Sequence, residues 1–363
     1  MRIANKLFLL LAIIFINNCA SVSAPQGGEI DAIPPELVST TPKILTEINP
    51  TQKITIQFNE YLQEASLKKA IKIFPTGDYN FKYESKGNEI DFWMPSNLNT
   101  DTTYMLVFDT NLKDEHGVNI AQDIVIPFSR DSVFHSGRIE GTIFGDFNTA
   151  FILLWLNNPS KAMMLDTTPD YILRASPNGA YQFNFLPNTE FSILAVQQYG
   201  SNIDYTKEAF SFYRKNKLSL HNDSLSNINF YLTRSTKKEE SVVSSDSLTV
   251  DDTAKKVLVK TATILGSVKG NFLYPINVFL KNTKNNYTNA VELGGNYIID
   301  EVLEGKYQLL IYEDRNNDLI LNMGSFTDEQ FAERFYVYPD SLILRANWEL
   351  EIPIWNYSLE KEQ

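Results

Sequence analysis

Oxygen-bearing side chains recur at every second position in one stretch of this chain. They are Asp314, Asn316 and Asp318, followed by Asn322, with the carbonyl of Ile320 between. Calcium takes roughly six to eight such oxygens from a loop of this kind. Asp314, Asn316, Asp318 and Asn322 are therefore candidate calcium ligands. Leu319 stands where a loop of this type turns on glycine, and Ser325 stands where it closes on glutamate. The same residues also make an Asx-rich turn, whose side-chain oxygens bond their own backbone. The sequence leaves both readings open. An earlier loop, residues 198–205, carries only Asn202 and Asp204.

No other spacing points to catalysis. Of His116, His135 and His221, none is followed by Glu at the next position or three positions on. The zinc-peptidase patterns are thus missing, as are a nucleophile elbow, a phosphate loop and a dinucleotide fingerprint. Asp114-Glu115 and Asp251-Asp252 pair carboxylates in sequence, but neighbouring side chains in a strand or loop diverge. They read as solvated surface. The expectation is a chain that is not an enzyme.

Cys19 is the one cysteine, so an intramolecular disulfide is excluded. Its position carries more information. Arg2 and Lys6 precede ten unbroken apolar residues, 7–16, a length suited to a signal-peptide core and too short to span a bilayer. The run ends at Ile16-Asn17-Asn18-Cys19. This resembles the lipobox of bacterial lipoproteins, with Asn17 and Asn18 where small residues are usual. The resemblance implies cleavage before Cys19, lipidation of Cys19 and attachment to a membrane. Ala20 follows the cysteine and no acidic residue occurs before Glu29, which by the same resemblance implies the outer membrane and its periplasmic face. Residues 1–18 are read as signal peptide and 19–33 as a flexible tether.

Composition bounds the rest. The formal charge is −12, and removing Arg2 and Lys6 with the leader makes it −14, or 30 basic against 44 acidic residues. Such a surface repels phosphate backbones, so nucleic acid is not an expected partner. With 43% hydrophobic residues, 18 Tyr and 23 Phe, the chain can fill several cores.

The elements that must position these residues are short strands. Between residues 34 and 130, alternating runs such as Ile54-Ile56-Phe58 and Ile90-Phe92-Met94 are separated by turn residues at regular spacing. About seven such strands make an Ig-type sandwich. PPELVSTTP (34–42), ITIQFNEYL (54–62), LNTDTTYMLVF (98–108) and IPFSR (126–130) resemble the bacterial Ig-like domain first described in S-layer proteins. In that family these residues are structural.

The remainder is a repeat. Residues 187–198 lie over 303–314 without a gap, at an offset of 116 (297 − 181 for Tyr297 and Tyr181). Upstream, Gly141 and Gly145 match Gly266 and Gly270. Each copy reads as a seven-strand sandwich, and residues 345–355 read as one closing strand with Trp348, Leu350 and Ile352 alternating. NGAYQFNFLPNTEFSILAV (178–196) and GGNYIIDEVLEGKYQLLIYEDRNND (294–318) resemble the carboxypeptidase regulatory-like, transthyretin-like fold, with Thr189 in place of the turn glycine that Gly305 supplies.

The expected fold class is all-β: three tandem β-sandwich domains after a lipoprotein signal peptide. Their bounds are 34–130 (Ig-like), 136–234 and 261–357 (both transthyretin-like). The polar stretch 235–260 is a mobile linker. The expected role is a lipid-anchored structural or protein-binding scaffold among other envelope proteins. The alternative is carbohydrate binding, through loop aromatics such as Tyr199, Tyr205, Tyr213 and Tyr287.

Overall fold

The computed structural model describes residues 28–132, 134–156, 159–200, 208–221, 224–232, 260–328 and 330–356. The expected signal peptide, Cys19, Tyr205 and nearly all of the expected linker lie outside these residues.

The chain is built from tandem sandwiches of mostly antiparallel strands. In the first, β1 (Leu37–Thr41), β2 (Lys53–Phe58), β4 (Lys82–Lys86) and β5 (Glu89–Trp93) form one sheet in the order β1-β2-β5-β4. It faces a second sheet of β3 (Ile71–Phe74), β6 (Thr103–Phe108) and β7 (Ile124–Ser129). The alternation in β2 behaves as read, with Ile54, Ile56 and Phe58 inside a shared core with Ile90 and Phe92. One short helix, α1 (Glu64–Ala70), packs Leu67 and Ala70 into that core.

Strand β6 is buried along its whole length, which a half-wet strand cannot be. Tyr104, Leu106 and Phe108 point into the first core, whereas Met105 and Val107, with Phe74, join the core of the second sandwich. The apolar run in the sequence is the mark of a strand that serves two cores.

The repeat has the same nine-strand plan twice. In the second sandwich β8 (Gly137–Gly145) pairs with β11 (Ala180–Leu186), β15 (Ser224–Leu225) and β16 (Phe230–Leu232). The facing sheet joins β10 (Tyr171–Arg174), β9 (Phe151–Trp155), β12 (Glu190–Val196) and β13 (Phe210–Phe212), with β14 (Leu218–Ser219) also on β12. In the third, β17 (Ala262–Lys269) pairs with β20 (Asn296–Val302), β24 (Glu349–Glu351) and β25 (Trp355–Asn356). Its facing sheet joins β19 (Asn286–Ala290), β18 (Ile276–Lys281), β21 (Gly305–Glu313) and β22 (Phe335–Val337), with β23 (Leu342–Leu344) on β21.

The two copies agree in detail. Tyr181 pairs with Gly141 as Tyr297 pairs with Gly266. Each copy has a bulge in that pairing, and a non-glycine residue takes left-handed φ there, 60° at Phe185 and 57° at Glu301. These two are again 116 apart (301 − 185).

Two expectations need correction. Among the described residues each repeat has nine strand segments instead of seven strands, because pieces as short as two residues, such as β14 and β15, give too little alternation to read. The closing strand is two strands, both parallel to β17. Ile352 is buried, but Trp348 is 51% exposed and lies over Arg345.

Candidate functional site

The loop that carries the candidate ligands follows β21 and runs from residue 314 to 334. Asp314 is its anchor and is wholly buried. Its Oδ2 accepts from Asn277 Nδ2 at 2.7 Å and Leu319 N at 2.8 Å, and its Oδ1 accepts from Asp318 N at 3.2 Å. Asp318 accepts from Ile320 N and Asn316 Nδ2, and Asn322 Oδ1 accepts from Gly324 N. All four candidate ligands thus sit in one loop. Asp314, Asp318 and Asn322 spend side-chain oxygens on the loop's own backbone, which is the chemistry of Asx turns. Any calcium would draw on the lone pairs these bonds leave over.

A residue not singled out in the sequence completes the loop. Glu333 is 4% exposed and reaches back across it. Its Oε1 accepts from Arg315 N at 2.7 Å and its Oε2 from Asn322 N at 3.0 Å. Burial lifts its carboxyl above the usual range, while these two N–H donors pull the other way. Its distance along the chain from Asp314 hid this role; no short spacing links the two.

This internal bracing presents the loop's far side to the second sandwich. Phe326 is buried there against Phe210 and Phe212, with ring centres 4.7 and 4.8 Å apart. Phe212 N donates to the Met323 carbonyl at 2.9 Å. Gly324, at φ 91°, fits where a Cβ would strike both the Phe212 ring and the Gln330 carbonyl. Lys161 Nζ lies 3.3 Å from the centre of the Phe331 ring. Phe326 therefore joins a cluster that otherwise belongs to the second sandwich, with Leu153, Trp155, Leu194 and Val196. Beside it, Tyr231 of β16 packs on Leu310 and Tyr312 of β21, and Lys281 pairs with Asp146 at 2.9 Å. The first joint is similar in kind: Thr76 bonds the Pro169 and Asp170 carbonyls, and Arg174 donates to Thr110 Oγ1 at 2.8 Å.

Three of the sugar-stacking candidates, Tyr199, Tyr213 and Tyr287, lie among the described residues. Tyr213 is buried in the second core, and Tyr287 is half-buried against Tyr307 at 6.0 Å. Tyr199 is half-buried beside Phe151. Among the described residues the exposed large aromatics are Tyr61, Tyr274 and Trp348, one in the first sandwich and two at separate loops of the third.

Buried carboxylates elsewhere have partners. Asp91, 1% exposed, is held by Lys86 at 2.5 Å, Thr55 at 2.7 Å and Lys53 at 3.0 Å, which keep it well below the usual carboxylate range. Asp114 is different. The sequence places it on a solvated surface, whereas it is 1% exposed. It lies beside Asp31 and His116, and these three bring ligand atoms within 4.8 Å of one another. Asp31 is far along the chain from Asp114 and His116, so spacing could not reveal the cluster.

Residues 31–130 match the bacterial Ig-like domain family. A search of curated proteins by sequence finds no match. Among solved structures, the Bacillus anthracis TIE protein is similar at 10% identity and a TM-score of 0.19 over 91% of this chain, which spans 59% of that protein. A fragment of Escherichia coli alpha-2-macroglobulin is similar at 10% identity and a TM-score of 0.22, over 77% of this chain and 94% of the fragment. A minor pilin of Streptococcus agalactiae gives 10% and 0.19, over 61% of this chain and 96% of the pilin. TM-scores of this size mark no shared arrangement of domains, and the neighbours' roles do not transfer. Among the described residues no helix is long and apolar enough to cross a membrane. By its match, the first sandwich, residues 31–130, is a bacterial Ig-like domain.

Proposed function

We propose that this chain is a non-enzymatic envelope protein, anchored by lipid on Cys19 at the periplasmic face of the outer membrane. There it serves as a structural or protein-binding scaffold. On this reading residues 34–130, 136–234 and 261–357 are its domains, the last two transthyretin-like, joined across the linker 235–260. The observation that supports it is the continuity of packing through both joints. Strand β6 gives one face to each of two cores, and Phe326 completes a cluster of the preceding sandwich. Tandem domains sealed in this way transmit position along the chain, which a scaffold requires. Asp314 and Glu333 brace the docking loop of the third sandwich by accepting its backbone N–H groups. Carbohydrate binding has less support, because among the described candidates Tyr213 is buried and Tyr199 and Tyr287 are half-buried.

The test is crosslinking of intact envelopes combined with fractionation. The reading predicts discrete higher-mass species with the wild-type chain in the outer-membrane fraction. It predicts transfer of Cys19→Ala to the soluble fraction and loss of those species. Retention of Cys19→Ala in the outer membrane contradicts the anchor, and only monomer in wild-type envelopes contradicts the scaffold.

A further inference from the structure

The first sandwich holds a cluster that no hydrogen-bond network accounts for. Asp31 lies in the segment leading into β1, Glu60 follows β2, and Asp114 and His116 share the turn after β6. His116 Nδ1 stands 3.0 Å from Asp31 Oδ2. Asp114 Oδ1 accepts from Val118 N at 2.8 Å, which leaves Oδ2 as the oxygen without a partner although it is buried. Glu60 Oε1 is also buried without a partner, and its carboxyl is within electrostatic reach of Asp114, Asp31 and His116. Among the described residues these are the only buried carboxylate oxygens left unbonded. Leaving such groups unmatched costs free energy, so native structures pair them with a donor or a cation.

We propose that Asp31, Asp114 and His116 bind one divalent transition cation of the zinc class. Two carboxylates and an imidazole offer three donors, and a water in the fourth position completes the four-coordinate habit of zinc with nitrogen and oxygen ligands. The imidazole separates this class from calcium and magnesium, which take oxygen ligands. Donors around a tetrahedral zinc lie roughly 3.3 Å apart, given bonds of about 2.0 Å. The Asp31–His116 distance of 3.0 Å is already of that size, and the three-residue group within 4.8 Å needs only a short contraction. The site ties one turn of the sandwich to the leading segment. The cation would therefore fasten residues 28–33 to the first domain, where the expected tether meets the fold. The site is independent of the scaffold role and survives its failure.

Isothermal titration of the metal-stripped whole chain with zinc chloride tests the site, with calcium chloride as the second arm. The expected result is one zinc per chain, lost in Asp114→Asn. That variant keeps an oxygen for the Val118 N–H. His116→Asn alters a side chain that is 70% exposed, so it leaves the fold intact. It should weaken zinc about tenfold or more, since even an outer-shell partner of a metal ligand is worth that much. The proposal is overturned by absence of saturable zinc binding, by wild-type affinity in both variants, or by saturation with calcium and none with zinc.

Discussion

The second and third sandwiches share their strand order, their bulge and the tyrosine that lies over a glycine, yet they differ in how the fifth strand is covered. Both β12 and β21 are buried on two faces. The inner faces fill each sandwich's own core, through Phe191, Ile193 and Ala195 in one and Tyr307, Leu309 and Ile311 in the other. The outer faces are covered reciprocally. Leu194 and Val196 of β12 receive Phe326 from the third sandwich, and Leu310 and Tyr312 of β21 receive Tyr231 from the second. What changed between the copies is the loop after that strand. In the third copy it became an arm braced by Asp314 and Glu333, and at the position of Asp314 the second copy has an exposed Gln198. The two copies interlock through this loop and through the contact of β16 with β21.

The largest effect is expected at the tip of the arm. Phe326→Ala removes a ring that is 5% exposed and should cost about 3–5 kcal/mol, as for other buried Phe truncations. The loss should appear in thermal melts of the whole chain as separation of the second and third sandwiches. A single unchanged transition would break the comparison.

The paired glycines sharpen it. A Cβ on Gly141 would meet the Ile228 carbonyl, whose residue is fixed by its own N–H bond to Glu140. A Cβ on Gly266 would meet the end of the Tyr297 ring. Overpacking costs about 1–3 kcal/mol, and Gly141→Ala should fall at the top of that range with Gly266→Ala at the bottom, because a backbone yields less than a side chain. Urea denaturation measures both, and the reverse order contradicts the packing.

Smaller still are the hydroxyls above those glycines. Tyr181 Oη donates to the Ile228 carbonyl at 2.5 Å, whereas Tyr297 Oη is buried without a partner. Tyr181→Phe should lose about 1 kcal/mol in the same denaturation experiment, and Tyr297→Phe should be neutral or slightly stabilising. Equal losses would mean that the two sites are bonded alike.

The least effect is expected at the turn. Asp318→Ala removes an acceptor for Ile320 N and should cost under about 1 kcal/mol, equally in calcium and in chelator. A stabilisation by calcium that Asp318→Ala abolishes would make the turn the calcium loop that the sequence also allowed.

The repeat was legible because it preserves side-chain register. The 116 offset that aligns Tyr181 with Tyr297 also aligns Phe185 with Glu301, two unlike residues in one left-handed bulge. Alternation located β2 and β5, where one face is wet. It could not say that Met105 and Val107 leave their own core for the next, since a run buried on both faces looks the same whatever covers it. The Asp314 stretch announced clustered oxygens, but the partners that brace it, Glu333 and Asn277, are distant in sequence. Asp31 meets Asp114 and His116 only in three dimensions.

The central claim is that the loop of the third sandwich clamps the second through Phe326. A double-mutant cycle on Phe212→Ala and Phe326→Ala in the whole chain measures it directly. Rings 4.8 Å apart in an edge-on contact should give a coupling energy of about 0.5–1.5 kcal/mol, so the double variant should lose less than the sum of the singles. Additivity of the two single losses would show that the rings do not meet and would contradict the account.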